Sequence, residues 1–321
     1  MLAGYATAIT PEDPLAGFEV GEIETPSPPA EWATVEVRAT ALNHHDLWAL
    51  KGFGLSAEQL PMILGCDAAG VGPDGEEVIV HALVGDPAWP GEETDDPRRS
   101  ILSERHPGTL AERVSVPRRN LIPKPPSLSF AEAACLPTAY LTAYRMLFTR
   151  AALRPGETVL VQGAGGGVAT AAIILASAAG TRVWATSRSE EKRELALRLG
   201  ADAAFADGAR LPDRVDAVIE TVGEATWGHS LRSVRNGGRI VVAGSTSGPN
   251  PGADLPRLFF REVSVIGSTM GTRGELERLV AFLDTTGARP LIDRAIPLAE
   301  ARSGLGAMAA GELQGKVVLE P

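Results

Sequence analysis

The sequence predicts an α/β protein in which a doubly wound parallel sheet is joined to a second, mainly β region. Three observations carry this. Strand-like and helix-like stretches alternate from Thr158 to Ile266, the pattern of parallel strands linked by crossover helices. A glycine-rich turn, Gln162-Gly-Ala-Gly-Gly-Gly-Val-Ala169, stands between the first of those strands and the first helix. Residues 1 to 125 instead read as short strands broken by proline and glycine.

Along the first segment, Thr34–Arg38 alternates apolar and polar residues as a half-buried strand does, and Glu77–His81 is a second strand of the same kind. Gly85–Arg99 has no apolar periodicity and reads as an exposed loop whose acidic run is a solvated surface. After Pro125 and Pro126 the period changes. Ser129–Arg150 carries apolar residues at helical spacing, with Ser127 or Ser129 placed to cap it.

Thr158–Val161 is a buried strand, and Val168–Ala179 an alanine-rich helix ended by Gly180. Arg182–Thr186 and Glu190–Leu199 repeat the unit. Ala203–Phe205, Ala217–Ile219, a helix near 225–234, Ile240–Ala243 and Val263–Ile266 complete the sheet. The tail holds an amphipathic helix over Gly274–Leu283, a shorter one over Ala299–Ala310, and the strand Val317–Leu319.

Composition narrows the function. The chain has 321 residues, enough for two domains, with 44% hydrophobic and 22% charged residues, as in ordinary globular proteins. A net charge of −10 argues against a broad nucleic-acid surface. No apolar run reaches bilayer length and the start lacks a signal-peptide pattern, so the expectation is a cytoplasmic protein with no membrane partner. Two cysteines, Cys66 and Cys135, fit free thiols in a reducing compartment.

The glycine turn has the context of a dinucleotide cradle, with a buried strand before it and a helix after it. Gly163, Ala164, Gly165, Gly166, Gly167 and Val168 would let the backbone approach a pyrophosphate at the helix N-terminus. Ala169 supplies the small residue that packs helix on strand. Nicotinamide sites that prefer NAD end the second strand in a carboxylate, whereas here it runs into Ser187 and Arg188, with Lys192 one helical turn on. These residues suit a 2′-phosphate, and the expected cofactor is NADP(H). Roughly 160 residues precede the turn, and none of the 3 tyrosines has a lysine four positions later. That arrangement excludes the short-chain dehydrogenase pattern.

Several segments together resemble the medium-chain dehydrogenase/reductase superfamily, in its quinone-oxidoreductase-like and zinc-alcohol-dehydrogenase-like branch. They are Ala41-Leu-Asn-His-His-Asp-Leu-Trp48, Ile63-Leu-Gly-Cys-Asp-Ala-Ala-Gly70, Leu136-Pro-Thr-Ala-Tyr-Leu-Thr-Ala-Tyr144, Arg154-Pro-Gly-Glu157, Gly237-Gly-Arg-Ile-Val-Val-Ala-Gly244, Ile266-Gly-Ser-Thr-Met-Gly271 and Gly315-Lys-Val-Val-Leu319. The resemblance implies a GroES-like, mainly β substrate domain from residues 1–125 and 270–321, linking helices over 126–150, and a Rossmann domain over 151–269. It implies a cleft for the nicotinamide and a homodimer in which the strand near Val263–Ile266 extends the sheet. It also implies cofactor contacts from Thr142, Val168, Gly244, Ser245, Thr246 and Thr269, and from Lys316 near the pyrophosphate.

Zinc-dependent members hold their metal through cysteine, a Gly-His-Glu segment and a second cysteine. The matching positions here are Asn43, Gly65-Cys66-Asp67 and Thr138, too few suitable donors for a catalytic zinc. The expectation is therefore no metal. Without a Lewis acid, a conjugated enone or quinone is easier to reduce than an isolated carbonyl, because charge spreads to a distal oxygen. His45 stands where zinc-dependent relatives carry a proton-relay hydroxyl and is a candidate acid. Asn43 is a candidate hydrogen-bond donor to substrate, and Asp46 and Tyr140 are further candidates, with Asp46 and Asp67 also suited to anchoring loops. The expected function is reduction of a small enone or quinone by NADPH. The alternatives are a zinc-free alcohol or aldehyde dehydrogenase, or an NADPH-binding redox sensor or partner-binding protein with little turnover.

Overall fold

The computed structural model describes residues 1–321, which divide into two compact units. Unit 1 comprises Met1–Ala139, Met270–Thr285 and Ile292–Pro321; unit 2 comprises Tyr140–Thr269 and Thr286–Leu291. None of the helices is long and apolar enough to cross a membrane.

The first part of unit 1 runs β1 (Leu2–Ala6), β2 (Phe18–Glu22), β3 (Trp32–Ala41), α1 (His44–Leu50), β4 (Met62–Ile63), β5 (Asp67–Val71), β6 (Glu77–Val80), β7 (Leu83–Val84), β8 (Ser100–Ile101), β9 (Arg113–Pro117) and β10 (Leu121–Pro123). Alternation works as anticipated in β3, where Ala33, Val35, Val37 and Ala39 are buried and Glu36 and Arg38 face water. Against Val35 and Val37 pack Cys66, Ala68, Val78, Val80, Val114 and Val116. The Gly85–Arg99 loop departs from its reading as a solvated acidic surface. Asp96 is fully buried, and its carboxylate accepts the Asp86 N–H at 2.7 Å and the Arg98 N–H at 2.8 Å. A buried carboxylate matched by backbone donors is a staple, which composition alone does not reveal.

The helical stretch that follows is subdivided: α2 (Phe130–Ala134), a wide π-helical turn over Leu136–Tyr140, α3 (Leu141–Tyr144), and a second π turn over Arg145–Arg150. Pro137 has no N–H to return to the preceding turn, which accounts for the first widening.

Unit 2 is then built from β11 (Thr158–Val161), α4 (Gly167–Ala178), β12 (Arg182–Thr186), α5 (Glu190–Arg198), β13 (Ala203–Phe205), β14 (Val215–Glu220), α6 (Glu224–Ser233), β15 (Val234–Val242), α7 (Leu255–Phe260) and β16 (Ser264–Gly267). Its six strands lie in the order β13-β12-β11-β14-β15-β16, and every pairing is parallel. The order reverses between β11 and β14, so loops leaving the carboxyl ends of those strands flank a crevice. Val159, Leu160, Val161, Val183, Val218, Ile240 and Val241 are buried, the continuous apolar pattern of strands covered on both faces.

The chain returns to unit 1 through α8 (Arg273–Thr286), β17 (Ile292–Pro297), α9 (Ala301–Ala309) and β18 (Lys316–Glu320). There β18 joins β3 and β17 in the larger sheet, ordered β10-β6-β5-β3-β18-β17. Periodicity did not single out β17, because it is largely half-exposed and carries Asp293 and Arg294 in place of alternating apolar residues.

Candidate cofactor turn and candidate reaction site

The glycine turn in unit 2 is held from beneath. Gln162, nearly fully buried, donates to His229 Nδ1 and Ser230 Oγ, each at 2.9 Å, and accepts from the Thr186 hydroxyl. The Ala164 N–H reaches Thr186 O at 2.8 Å, tying the turn to the end of β12. Gly165 takes φ +127°, and a Cβ there would lie 2.7 Å from Cδ of Lys192, so the lysine stem lies directly against the turn. Gly166 caps α4 without a side-chain partner for the first-turn N–H groups, and a Cβ on it would meet nothing within 4 Å. Unpaired donors at an open helix N-terminus suit an anion.

At the end of β12, Ser187 is buried and Arg188 exposed, and Ser189 caps α5 by accepting the Lys192 N–H at 3.3 Å. Arg193, a residue that sequence reasoning missed, donates Nη1 to the carbonyls of Ser187 and Arg188 at 2.8 and 3.1 Å. It fixes the backbone from which Arg188 projects. No carboxylate lies at the strand end.

Across the switch point, Glu220 is fully buried at the end of β14. It accepts the N–H groups of Val222 and Gly223 and the hydroxyls of Thr226 and Ser230, at 2.6–3.1 Å. This cage sets the loop facing the glycine turn, and no motif pointed to it. A Cβ on Gly244 would sit 3.0 Å from Thr221 O, while Ser245, Thr246 and Thr269 are exposed at the ends of β15 and β16. Thr142 is buried in α3. Tyr140 has a different place from a catalytic one. It is fully buried, and its hydroxyl accepts the Leu291 N–H at 2.8 Å, so it anchors the core of unit 2.

In unit 1, Asn43 and Asp46 start α1 as a capping pair, with Asp46 Oδ2 accepting the Asn43 N–H at 2.8 Å. The Asn43 amide donates to Ala41 O and to Asp67 Oδ2, at 3.2 and 2.9 Å. Lys316, in β18, gives its three ammonium donors to Leu42 O, Asn43 Oδ1 and Asp67 Oδ2, at 2.6, 2.6 and 3.0 Å. It is 3% exposed, so its donors are met inside unit 1 and none is left for a pyrophosphate.

His45 lies beside this network. Its Nε2 is 3.3 Å from Glu104 Oε1, and its Nδ1 is 3.3 Å from Cys66 Sγ and 3.5 Å from Ser103 Oγ. Burial alone would push the imidazole down, but the hydrogen bonds of Cys66 and Glu104 and the charge of Asp46 favour its protonated form and hold it well above its ordinary value. Burial pushes the Cys66 thiol up, against the pull of His45. It also raises Asp46 to about 6, although His45 and the Asn43 N–H favour its ionised form. His44 goes the other way, lowered by burial and then by Lys316.

The positions matched to zinc ligands do not fit that metal. The Asn43 amide is bonded on both sides, an ammonium already balances Asp67, and a dication there would oppose Lys316 at close range. Thr138 offers a neutral hydroxyl, buried without a hydrogen-bond partner. A different trio, His45, Asp46 and Cys66, has donor atoms within 4.8 Å of one another, but its imidazole is hydrogen-bonded on both nitrogens.

Comparison with known proteins finds two family models along the chain. Residues 29–126 match the alcohol dehydrogenase GroES-like domain, and residues 167–285 match the zinc-binding dehydrogenase model. The chain is 32% identical to acryloyl-coenzyme A reductase of Metallosphaera sedula over 94% of its own length and 96% of the relative's. Among solved structures, an NAD-dependent alcohol dehydrogenase superposes with a TM-score of 0.92 at 34% identity, covering 100% of both chains. A 2-octenoyl-CoA carboxylase reductase in complex with NADP and 2-octenoyl-CoA superposes with a TM-score of 0.90 at 25% identity, covering 99% of this chain and 87% of that one. With its parallel-sheet Rossmann unit and its mainly β GroES-like unit, this chain belongs to the medium-chain dehydrogenase/reductase superfamily.

Proposed function

We propose that the protein is an NADPH-dependent reductase of a carbon–carbon double bond conjugated to a carbonyl, with no catalytic zinc. The observation that carries this reading is the closed Asn43–Asp67–Lys316 network at the positions where zinc-dependent members bind metal. A site furnished this way suits a reaction whose negative charge is delocalised, as it is on an enolate. The similarity to an acryloyl-coenzyme A reductase, and to a reductase holding NADP and 2-octenoyl-CoA, supports an enoyl thioester as the first substrate to try.

When bound, NADPH supplies the hydride. Donors at the start of α4 and the Gly163–Gly167 backbone hold the pyrophosphate, and Arg188 with Lys192 hold the 2′-phosphate. Thr142, Val168 and the backbone near Thr269 are assigned to the nicotinamide end, and Gly244, Ser245 and Thr246, just after β15, to the same cofactor. His45 gives the proton that completes the reduction. Asn43 and Asp46 fix the start of α1 and the Lys316 ion pair.

NADPH oxidation in the presence of crotonyl-CoA, a simple enone, a quinone and an aldehyde, beside alcohol oxidation with NADP⁺ and NAD⁺, tests the reading. Turnover of the conjugated substrates is expected to exceed that of the aldehyde and alcohols. Activity confined to alcohol oxidation with NAD⁺ would instead establish the second reading, which the similarity to an NAD-dependent alcohol dehydrogenase favours.

We also propose a homodimer. β16 is an unpaired edge of the unit 2 sheet, and Leu255, Phe259, Phe260 and Val265 beside it are 61%, 62%, 78% and 46% exposed, more apolar surface than a monomer leaves uncovered without reason.

A further inference from the structure

Glu104 lies 59 positions from His45 in sequence, yet its carboxylate is built to meet the imidazole. One oxygen, Oε2, is anchored by the Ile101 N–H at 2.9 Å and the Ser100 hydroxyl at 3.3 Å. The other, Oε1, is left for His45 Nε2 at 3.3 Å. The backbone carbonyl of Glu104 accepts from Gln59 Nε2. Space for the carboxylate comes from Gly54, which takes φ +77° and where a Cβ would stand 2.7 Å from Oε1. Next door, Ser103 adopts φ +72°, rare for a residue with a side chain, and brings its hydroxyl to the opposite edge of the ring. Three separate segments thus fix one carboxylate oxygen on one imidazole nitrogen.

We propose that Glu104 is a positioning residue for His45: it accepts the Nε2–H, fixes the ring, and makes the Nδ1 proton the one that leaves during reduction. This rests on the reading above that His45 supplies the proton. In the step, NADPH, when bound, would supply the hydride and its two electrons to the β-carbon and leave as NADP⁺. The α-carbon takes the Nδ1 proton. The imidazolium becomes the neutral Nε2–H tautomer, still bonded to Glu104, and solvent restores the lost proton. Nδ1 faces Cys66 Sγ at 3.3 Å and Ser103 Oγ at 3.5 Å; sulfur is a weak acceptor, so this hydrogen bond is the one that gives way when the proton leaves. The division of labour parallels any base held by a carboxylate on its far nitrogen.

The test combines long-range ¹H–¹⁵N spectra of the full-length ¹⁵N-labelled protein with steady-state kinetics on crotonyl-CoA and NADPH. The His45 signal, assigned by its loss in H45Q, is expected to show the Nε2–H tautomer when neutral. E104Q is expected to weaken that preference and lower kcat by about 10- to 100-fold, with KM for NADPH unchanged. E104D is expected to recover part of kcat. An Nδ1–H tautomer in the wild-type protein overturns the proposal, as does full kcat in E104Q or a stoichiometric divalent metal bound through His45 and Cys66. If the wild-type protein turns over none of the conjugated substrates, the functional reading fails, while the tautomer still decides whether Glu104 holds Nε2.

Discussion

Asp46 is a carboxylate with no exposed surface whose second oxygen, Oδ1, lacks a hydrogen-bond partner. Burial raises its folded pKa to about 6, above the ordinary 3.8. Between those values the folded state binds more protons than the unfolded one, so stability falls as pH rises through roughly 4 to 6. D46N removes that titration. Relative to wild type, its stability is expected to rise by about 2–3 kcal/mol between pH 4 and pH 7, measured by urea denaturation at both. Parallel pH profiles would contradict the assignment. The two thiols follow from the same physics. Cys66 and Cys135 are both fully buried, and burial pushes Cys135 up to about 12, so a disulfide-exchange reagent at pH 8 is expected to label neither until the protein is unfolded. Rapid labelling of the native protein would show that one of these sites opens.

At the scale of elements, the turn between β11 and α4 combines backbone conformation with ligand binding. Gly165→Ala forces a side chain into φ +127° and onto the Lys192 stem. The expected result is at least a tenfold rise in Kd for NADPH, read by fluorescence titration, with little change in Cys reactivity; unchanged affinity would place the phosphates elsewhere. The turn was legible in the sequence because glycines punctuate a buried apolar strand and an alanine-rich helix. The sheet was legible for the same reason, since β11, β12, β14 and β15 each carry apolar runs covered on both faces. Signals of other kinds leave no period. Glu104, Glu220 and Arg193 act through contacts fixed by the fold, and nothing around them in the chain marks them. Asp96 is hidden within an acidic run whose neighbours are exposed, and β17 has too little burial to alternate. Lys316 was visible as a family position, but its commitment to Asp67 and Asn43 appears only when β18 pairs with β3.

For the whole molecule, the two units are each built around their own buried polar network. The parallel-sheet unit carries the glycine turn at its switch point, and in the mainly β unit the Lys316 ammonium pairs with Asp67 at 3.0 Å. The open edge at β16 is expected to make the molecule a dimer by light scattering. Phe260→Asp, which adds a charge to the most exposed of those side chains, is expected to yield monomers; a wild-type monomer would contradict the assembly. The central claim is NADPH-dependent reduction of a conjugated substrate. Its most direct test is the ratio of kcat/KM for NADPH to that for NADH with crotonyl-CoA, in chelator-treated wild-type and R188A proteins. The account predicts a ratio of about ten or more in the wild type, roughly the worth of one charged phosphate contact, collapsing toward one in R188A. Equal values for the two cofactors in the wild type, or activity lost on chelation, would contradict it.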